Sequence, residues 1–325
     1  MTPRQRFRET MRYGRPDRVP WLDEGLRDDV LKCWQQQGLP LDADLSALFH
    51  YDRRERIELG LGAKPKSSGL PATEADLRAL RSRLDPNDPS RLPADWPERV
   101  QRWRGRGHIL ELPLHSGLFL TLGVNDWTSL ERVLYLLADA PAIVREIMDA
   151  QAALAAAMAE HVLREVEVDF ASFSEPIGTS HGPLVSPAMY RQLALDTYRP
   201  ILDVLRAHGV ETIVFMTYGN ALVLMPDILE AGFNCLWAME TETQAMDYRR
   251  LRRRFGKALR LIGGVDLDSL LVSEAEVERE VAAKVPELLA EGGYIPLADG
   301  RVRTSVPLAS YTYYRRVLER VTQGR

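Results

Sequence analysis

The sequence predicts a (β/α)₈ barrel, an α/β fold in which parallel strands alternate with helices around one core. The chain has 325 residues and 45% hydrophobic content, enough to bury a large core. From residue 109 onward, apolar strand-like runs alternate with amphipathic helical segments, as parallel sheets require. We expect a single domain over residues 1–325 with a helical extension at its N-terminus. A doubly wound open sheet is the alternative, but no G-x-G-x-x-G follows a strand.

The N-terminal third is predicted to be mainly helical. Thr2 and Pro3, with Gln5, are typical of an N-cap and first turn, and this helix is predicted to end at Gly14. The segment RVPWLDE (18–24) is predicted to be the first strand. Residues 26–105 are polar and mostly helical in pattern, with loops in the proline-rich stretch 84–100.

The remaining elements follow in a regular order, about seven strand–helix steps in all. Strands are predicted at 108–116, 168–175, 211–220, 235–240, 259–266 and 294–300. Helices are predicted at 126–139, 141–165, 186–209, 222–232, 247–256, 273–293 and 308–321.

Composition excludes several classes of protein. The net charge is −4 and no basic tract is present, so a nucleic-acid partner is not expected. Cys33 and Cys235 are far apart and form no CxxC, so no disulfide framework is predicted. The N-terminus lacks an apolar signal region, and no run of about 18 apolar residues exists. We therefore expect a cytoplasmic protein without a membrane span.

Polar side chains follow almost every predicted strand. In a barrel the catalytic groups lie at the carboxyl ends of the strands, so these side chains are the candidate site. A solvated loop face would also be polar, so no single residue is good evidence for a functional site. The whole set is stronger evidence than any one of its members. The set is Asp23, Glu24, His115, Ser116, Ser174, Glu175, Met216 to Asn220, Glu240, Asp266, Asp299 and Arg301.

Three of these residues, together with His181 in the loop after Glu175, are candidates for catalysis. Glu175 ends an apolar strand, where burial would raise its pKa and suit a general acid or base; a turn cap is the alternative. His115 and His181 could carry a proton near neutral pH, although a loop histidine is often a turn residue. Asp266 follows two glycines, which either let the backbone approach a ligand closely or relieve crowding.

The other members are candidates for substrate binding. Asp299 and Arg301 could pair with each other or hold a substrate carboxylate. Tyr218 could donate a hydrogen bond or stack on a planar ring, and Asn220 is expected to stabilise its turn. Met216, two residues before Tyr218, is a candidate for substrate binding in the same turn. Asp23, Glu24 and Glu240 complete the set.

No metal site is predicted. The sequence has no H-E-x-x-H, H-x-C or CxxC. An oxygen site for a hard cation would need the acids and Asn220 to converge, which the sequence does not indicate.

Five segments together resemble the uroporphyrinogen decarboxylase superfamily. They are TPRQRFRETMRYGRPDRVP (2–20), GPLVSPAMYRQLALDTYRPILDVLRAHGV (182–210), YGNALVLMPDILEAGFN (218–234), MDYRRLRRRFGKALRLIGGVD (246–266) and EGGYIPLADGRV (291–302). The resemblance implies a (β/α)₈ barrel and a homodimer. The superfamily includes the tetrapyrrole decarboxylase and methyltransferases that exchange methyl groups with a corrinoid protein or a thiol.

The chain departs from the family pattern at several positions. The decarboxylase has two arginines after its VP strand that hold substrate carboxylates, whereas WLDEGLRDD (21–29) has only Arg27 among four acids. The zinc-dependent methyltransferases carry His-x-Cys before Gly-Asn, and Met216 and Tyr218 stand in those places here. Another branch has histidines where this chain has Leu297 and Gly300.

The resemblance therefore implies an enzyme that acts on a small organic substrate without the usual zinc. Methyl transfer or O-demethylation is the first expectation, with a corrinoid protein as partner and cobalamin carried by that partner. Glu175 and His181 or His115 would move protons, while Asp266 and Tyr218 would position the substrate. Decarboxylation of a carboxylated substrate, tetrapyrroles included, is one alternative. A catalytically lapsed barrel that binds a ligand is the other.

Overall fold

The computed structural model describes residues 1–64, 70–71, 73–238 and 246–323. Within these residues the strands are β1 (Arg54–Arg56), β2 (Ile109–His115), β3 (Phe170–Glu175), β4 (Gly178–Thr179), β5 (Gly182–Pro183), β6 (Ile213–Thr217), β7 (Cys235–Ala238), β8 (Arg260–Val265) and β9 (Tyr294–Ala298).

The helices cover most of the segments between these strands. They are α1 (Pro3–Met11), α2 (Asp28–Gln36), α3 (Leu45–Leu48), α4 (Glu74–Arg83), α5 (Trp96–Arg104), α6 (Gly117–Thr121), α7 (Trp127–Asp139), α8 (Pro141–Glu165), α9 (Pro187–Leu193), α10 (Arg199–Ala207), α11 (Met225–Ala231), α12 (Tyr248–Phe255), α13 (Glu274–Glu291) and α14 (Leu308–Gln323). Short 3₁₀ helices lie at Pro89–Arg91, Leu195–Tyr198, Gly256–Ala258 and Leu267–Leu271.

The chain forms two compact units, and both are of mixed α/β type with parallel strands. Unit 1 contains Met1–Glu55, Gly107–Ile109 and Cys235–Arg325, and unit 2 contains Arg56–Arg106 and Leu110–Asn234. The α/β alternation predicted from residue 109 onward is thereby confirmed. None of the helices in the described parts of the chain has the length and apolar composition needed to cross a membrane.

In unit 2 the strands run parallel in the order β2–β3–β6. Phe173 and Phe215 project from neighbouring strands onto the ring of Phe233, with centroid distances of 4.8 and 5.4 Å. At the amino end of β3, Asp169 accepts hydrogen bonds from Arg106 and from the Leu110 amide. This ion pair is buried, so it aligns the starts of β2 and β3 where an unpaired charge would be costly.

In unit 1 the strands run parallel in the order β7–β8–β9, and α13 packs against α14. The predicted N-cap of the first helix is confirmed, and it is part of a capping box: the Thr2 hydroxyl accepts from the Gln5 amide, while the Gln5 side chain accepts from the Thr2 amide. Because both backbone donors are satisfied, the helix can start at Pro3.

The prediction of a first strand at 18–24 is wrong. The Trp21 amide donates to the Asp52 carboxylate at 2.9 Å, and the Asp52 amide donates to the Trp21 carbonyl at 2.8 Å. Arg18 also binds that carboxylate. A side chain therefore satisfies the backbone that a neighbouring strand would otherwise pair, and the segment is extended without forming a strand.

Two other predicted segments differ from the structure. The helix predicted over 186–209 is interrupted at Ala194, which has φ −127° and ψ −67°, and a 3₁₀ turn precedes α10. The region 26–105 is less helical than predicted, because it also contains β1 and extended stretches. In both cases the pattern of apolar and polar residues is compatible with a helix. The positions where the helices are interrupted depend on tertiary packing, which the local pattern does not contain.

Candidate functional site

The carboxyl end of β3 in unit 2 places Glu175 in a fully buried position. Its carboxylate accepts hydrogen bonds from the Leu118 amide at 2.7 Å, from the Tyr198 hydroxyl at 2.6 Å and from the Tyr190 hydroxyl at 3.0 Å. Burial raises the pKa of Glu175 to about 7, although the three donors oppose that shift. The predicted effect of burial on this carboxyl group is confirmed.

His115, at the end of β2, is the neighbour of this carboxylate. Its ring lies 4.6 Å from the Tyr198 ring and 6.4 Å from the Phe173 ring, centroid to centroid. Nδ1 accepts a hydrogen bond from the Gly117 amide at 2.9 Å, and the buried Nε2 has no hydrogen-bond partner among the described residues. Burial lowers the pKa of His115 to about 3, so the ring is neutral near pH 7.

A β-bulge explains why His115 and Glu175 lie on the same face of the sheet. Pro113 pairs with Ser172 and His115 pairs with Phe173, so β2 has one residue more than β3 at this point. Side chains alternate along a strand, and an extra residue turns all later side chains to the other face. His115 therefore lies on the same face as Phe173 and Glu175, the face that the Tyr190 and Tyr198 side chains cover.

The opposite face of the same sheet carries a second buried carboxylate. Glu111 is fully buried in β2, and its side chain accepts a hydrogen bond from the Ser172 hydroxyl at 2.7 Å. Arg56 approaches it with Nε at 3.3 Å. A charged residue in the middle of an apolar strand was the signal in the sequence, and the sequence prediction omitted it.

The predicted turn after β6 is present in unit 2. Met216 and Thr217 end the strand, and Thr217 pairs with Glu175 in the parallel register. Tyr218 is half-buried, and Asn220 accepts a hydrogen bond from the Leu222 amide at 3.1 Å. The prediction that Asn220 stabilises this turn is confirmed.

His181 lies in an exposed hairpin turn between β4 and β5. Its Nδ1 is 3.0 Å from the Ser180 hydroxyl, and its amide donates to Thr179 Oγ1. The Asn220 amide donates to the Thr179 carbonyl at 2.8 Å, which connects the hairpin to the turn after β6. The contacts of His181 are those of a turn residue. None of its described contacts involves His115, Glu175 or Tyr198.

In unit 1, Asp23 and Glu24 are half-buried, and an arginine lies beside them. Arg54 donates to the Asp23 carbonyl at 3.0 Å and stacks over the Trp237 ring at 4.9 Å. Trp237 is fully buried, and its Nε1 has no hydrogen-bond partner among the described residues. Burial raises the pKa of Asp23, and nearby arginines only partly oppose this. Arg27 is exposed, and the arginines that act on Asp23 are Arg54 from β1 and Arg315 from α14.

Asp299 stabilises the glycine pair of β8. Its carboxylate accepts from the Gly264 amide at 2.7 Å, and a Cβ on Gly263 would lie 2.6 Å from the same carboxylate. A Cβ on Gly264 would lie 2.7 Å from the ring of Tyr248. The two glycines therefore relieve crowding, which was one of the two predicted readings. Arg301 is exposed and does not pair with Asp299 in any described contact.

Asp266 caps the 3₁₀ helix that follows β8. Its side chain accepts from the Asp268 amide at 2.9 Å, and its own amide donates to Glu280 at 2.8 Å. Glu240 lies outside the described residues. Within the described ranges no three His, Cys, Asp or Glu side chains group as a metal site. The hydrogen bonds of Asp266 there join it to Asp268, Ser269 and Glu280, which are not candidate residues.

Sequence reasoning missed the tyrosines that surround Glu175. Tyr190 and Tyr198 lie on a segment with helical periodicity, where aromatic residues are usually read as core. Arg54 and Trp237 were missed because they come from distant segments and meet only in the folded chain. No local signal in the sequence marks these partners.

Comparison with known proteins gave one family. The family model "Uroporphyrinogen decarboxylase (URO-D)" matches residues 126–299, which is more than half of the chain. No curated protein sequence matches the chain. Among solved structures, xylanase B from Clostridium stercorarium F9 is similar with a TM-score of 0.41 and 10% identity, over 80% of this chain and 82% of that chain.

Proposed function

The chain belongs to the uroporphyrinogen decarboxylase family, and from this membership we propose that it is an enzyme acting on a small organic substrate. Its chemistry would be the stabilisation of negative charge that develops on one substrate oxygen. The observation that carries this proposal is the buried, unpartnered Nε2 of His115. Since Nδ1 accepts from the Gly117 amide, the proton of the neutral ring is on Nε2, where it can be donated to a substrate oxygen.

Decarboxylation is the reaction we propose first. When CO₂ leaves, the bonding electrons stay on the substrate and spread onto a neighbouring oxygen, and a fixed neutral donor stabilises that charge. The description of the matched family favours this reaction. The segment where the resemblance places the carboxylate-binding arginines has only Arg27 among four acids, and two of these acids, Asp23 and Glu24, are half-buried. A substrate with many carboxylates is therefore disfavoured, and a small acid is preferred.

Glu175 is proposed as a positioning residue. It is fully buried, and its carboxylate binds both the Tyr198 hydroxyl and the Leu118 amide. Tyr198 packs on the His115 ring, and the adjacent Gly117 amide holds Nδ1. Glu175 thus orients the histidine through two groups. A general-acid role for Glu175 would require the substrate to displace one of these partners.

O-demethylation with a corrinoid partner is the second candidate. Departure of a phenolate or alkoxide also places charge on one oxygen, so the same donor would serve. The segment 21–29 lacks the two arginines of the family pattern, which favours this reaction, since an uncharged ether needs no arginine clamp. The cobalamin would belong to the partner protein.

The test compares two histidine variants. His115→Asn keeps an acceptor near the Nδ1 position and lacks the donor at Nε2, whereas His115→Gln can place a donor near Nε2. Small aryl and β-keto acids labelled with ¹³C at the carboxyl group report decarboxylation, and methoxyaromatics with cob(I)alamin report methyl transfer. We expect His115→Asn to lose about 10²-fold in kcat, and His115→Gln to lose less.

The control is His161→Gln, since His161 is on the surface of α8 and pairs with Glu165. Equal rates for wild type and His115→Asn would contradict the role of Nε2. Saturable binding of these compounds to the wild type without any turnover would favour the lapsed, ligand-binding barrel.

The finer fold assignment is also a proposal. We infer from family membership that the strands close into a (β/α)₈ barrel in a single domain over residues 1–325, and that the protein is a homodimer. An experimental structure tests the closure, and sedimentation at several protein concentrations tests the dimer.

A further inference from the structure

Unit 1 contains a cavity of about 340 Å³ that none of the proposed chemistry uses. It lies between the C-terminal end of α13, the turn after α1 and the start of β9, where Leu289, Gly14 and Tyr294 line it. This volume is within the range of small-molecule sites, roughly 300–1,000 Å³. At about 30 Å³ for each water molecule, it would hold about ten of them.

The wall of this cavity combines aliphatic surface, hydroxyl-bearing side chains and positive charge. Pro16, Val19 and Leu289 supply the aliphatic surface, and Thr10, Tyr294 and Thr322 also line the wall. Among the described residues, the charged side chains of the wall are those of Arg15 and Arg18, and no aspartate or glutamate lines it. The formal charge of the wall is therefore positive.

The two arginines are in different states. Arg18 binds the Asp52 carboxylate and stacks on Trp21 at 3.8 Å, so its charge is already compensated. Arg15 is exposed and has no hydrogen-bond or ion-pair partner among the described residues. The nearest acid in sequence, Asp17, is bound by Arg6. Within the described part of the chain, Arg15 is thus a cation at the cavity that no carboxylate binds.

We propose that this cavity binds a small organic anion, with an apolar body against Leu289 and Val19 and a single carboxylate on Arg15. The guanidinium can bind a carboxylate through two parallel hydrogen bonds, and the aliphatic wall excludes water from the body of the ligand. The site is separate from the candidate catalytic groups of unit 1. Tyr294 is the first residue of β9, while Asp299 follows the other end of that strand.

Benzoate is the probe, and benzamide is its uncharged match. Titration calorimetry of the full chain is expected to give a benzoate Kd below about 1 mM. Benzamide and the Arg15→Gln variant are each expected to bind about tenfold more weakly, which corresponds to about 1.4 kcal/mol. Arg12→Gln is the matched control, because Arg12 is exposed and near in sequence but does not line the cavity.

A second variant tests the cavity itself. Leu289→Trp places a larger ring in the wall and is expected to abolish benzoate binding while Arg12→Gln binds normally. Equal affinity of wild type and Arg15→Gln for benzoate would overturn the proposal, and so would the absence of saturable binding to the wild type. If Leu289→Trp does not fold, the Arg15→Gln comparison decides alone. None of these measurements requires turnover. Because benzoate is also a small aryl acid of the proposed substrate class, binding that neither Arg15→Gln nor Leu289→Trp weakens would assign benzoate to the candidate catalytic site and overturn the proposal.

Discussion

At the scale of single residues, Glu175 and His115 are two buried groups whose pKa values shift in opposite directions. The pKa of Glu175 is about 7 in the folded chain against 4.5 as reference, and that of His115 is about 3 against 6.5. A raised carboxyl pKa contributes stability below pH 4.5 that is lost as the pH rises through 7. A lowered histidine pKa contributes stability above pH 6.5 that is lost as the pH falls through 3. Between pH 4.5 and 6.5 the two effects oppose each other.

Substitution of Glu175 should therefore separate the two contributions to the pH dependence of the free energy of unfolding. In Glu175→Gln we expect the free energy of unfolding to rise with pH between 4.5 and 6.5, because only the histidine effect remains. Relative to this variant, the wild type should lose roughly 3 kcal/mol between pH 4.5 and 7. Urea unfolding at several pH values measures both. A pH-independent difference between wild type and Glu175→Gln would show that the carboxyl pKa is not raised.

A second prediction concerns Asp266, for which the sequence suggested catalysis and the structure gives a cap. Asp266→Asn keeps the oxygen that accepts from the Asp268 amide, so its stability should stay within about 0.5 kcal/mol of wild type. Asp266→Ala should cost about 1 kcal/mol. Thermal unfolding measures both. If Asp266→Asn lost all turnover of a substrate while remaining folded, capping would not be its main role.

The contacts of some candidate residues could be predicted from the sequence alone, and those of others could not. Asn220 was predicted correctly because an asparagine in a turn acts on its own backbone. The environment of Glu175 could not be predicted, because its partners come from α6, α9 and the 3₁₀ turn at Leu195–Tyr198. Sequence reports which group is present, but burial and donors are set by tertiary packing.

At the scale of elements, the start of α6 connects His115 and Glu175 through consecutive amides. Gly117 donates to His115 and Leu118 donates to Glu175. Gly117 has φ +80°, and a Cβ there would lie 2.5 Å from the Glu175 carboxylate. The glycine is thus required for both conformation and space.

Gly117→Ala should therefore be strongly destabilising. Gly123→Ala is the matched control, because Gly123 has φ +78° in the same unit and open space around its Cβ position. We expect Gly117→Ala to lower the free energy of unfolding by at least about 2 kcal/mol more than Gly123→Ala, since backbone strain is common to both. Urea unfolding gives the difference. Equal costs would mean that the Cβ clash is relieved by movement of α6.

The contact between the β4–β5 hairpin and the turn after β6 yields a fourth prediction. Gly219 has φ +68°, and a Cβ there would lie 2.5 Å from the Thr179 carbonyl. Gly219→Ala should loosen the hairpin and speed hydrogen exchange of the Asn220 amide, which donates to that carbonyl. Gly209→Ala, with φ +70° and open space, should leave this exchange unchanged. Exchange that is slow in both variants would contradict the contact.

Elements were predicted well where a periodic pattern was local. The helices α7, α8, α13 and α14 and the longer strands were predicted in this way, and these strands are β2, β3, β6, β7, β8 and β9. The two-residue strands β4 and β5 lie in a stretch predicted as a loop. The prediction at 18–24 failed although the apolar pattern there is that of a strand. The carboxylate of Asp52, more than twenty residues later, accepts the hydrogen bond that the Trp21 amide would donate to a neighbouring strand. The β-bulge between Pro113 and His115 could not be predicted from the sequence either, although it determines the face of the sheet on which the His115 side chain lies.

At the scale of the whole chain, its two ends are joined within unit 1. Trp21 donates from Nε1 to the Thr322 hydroxyl at 2.8 Å, and Trp34 donates to the Val306 carbonyl at 2.8 Å. Arg315 is buried and donates to the carbonyls of Leu22 and Phe49. Segments about 300 residues apart in sequence are therefore parts of one core.

The bond between Trp21 and Thr322 gives the fifth prediction. Thr322→Val keeps the shape of the side chain but leaves the buried indole N–H unsatisfied, which should cost about 1–3 kcal/mol. Thr322→Ser keeps the hydroxyl and should cost less. Because the bond joins both chain ends, hydrogen exchange should accelerate in α1 and α14 to the same degree in Thr322→Val. Faster exchange in α14 alone would mean that the C-terminal helix opens independently, and that the two ends do not unfold as one cooperative core.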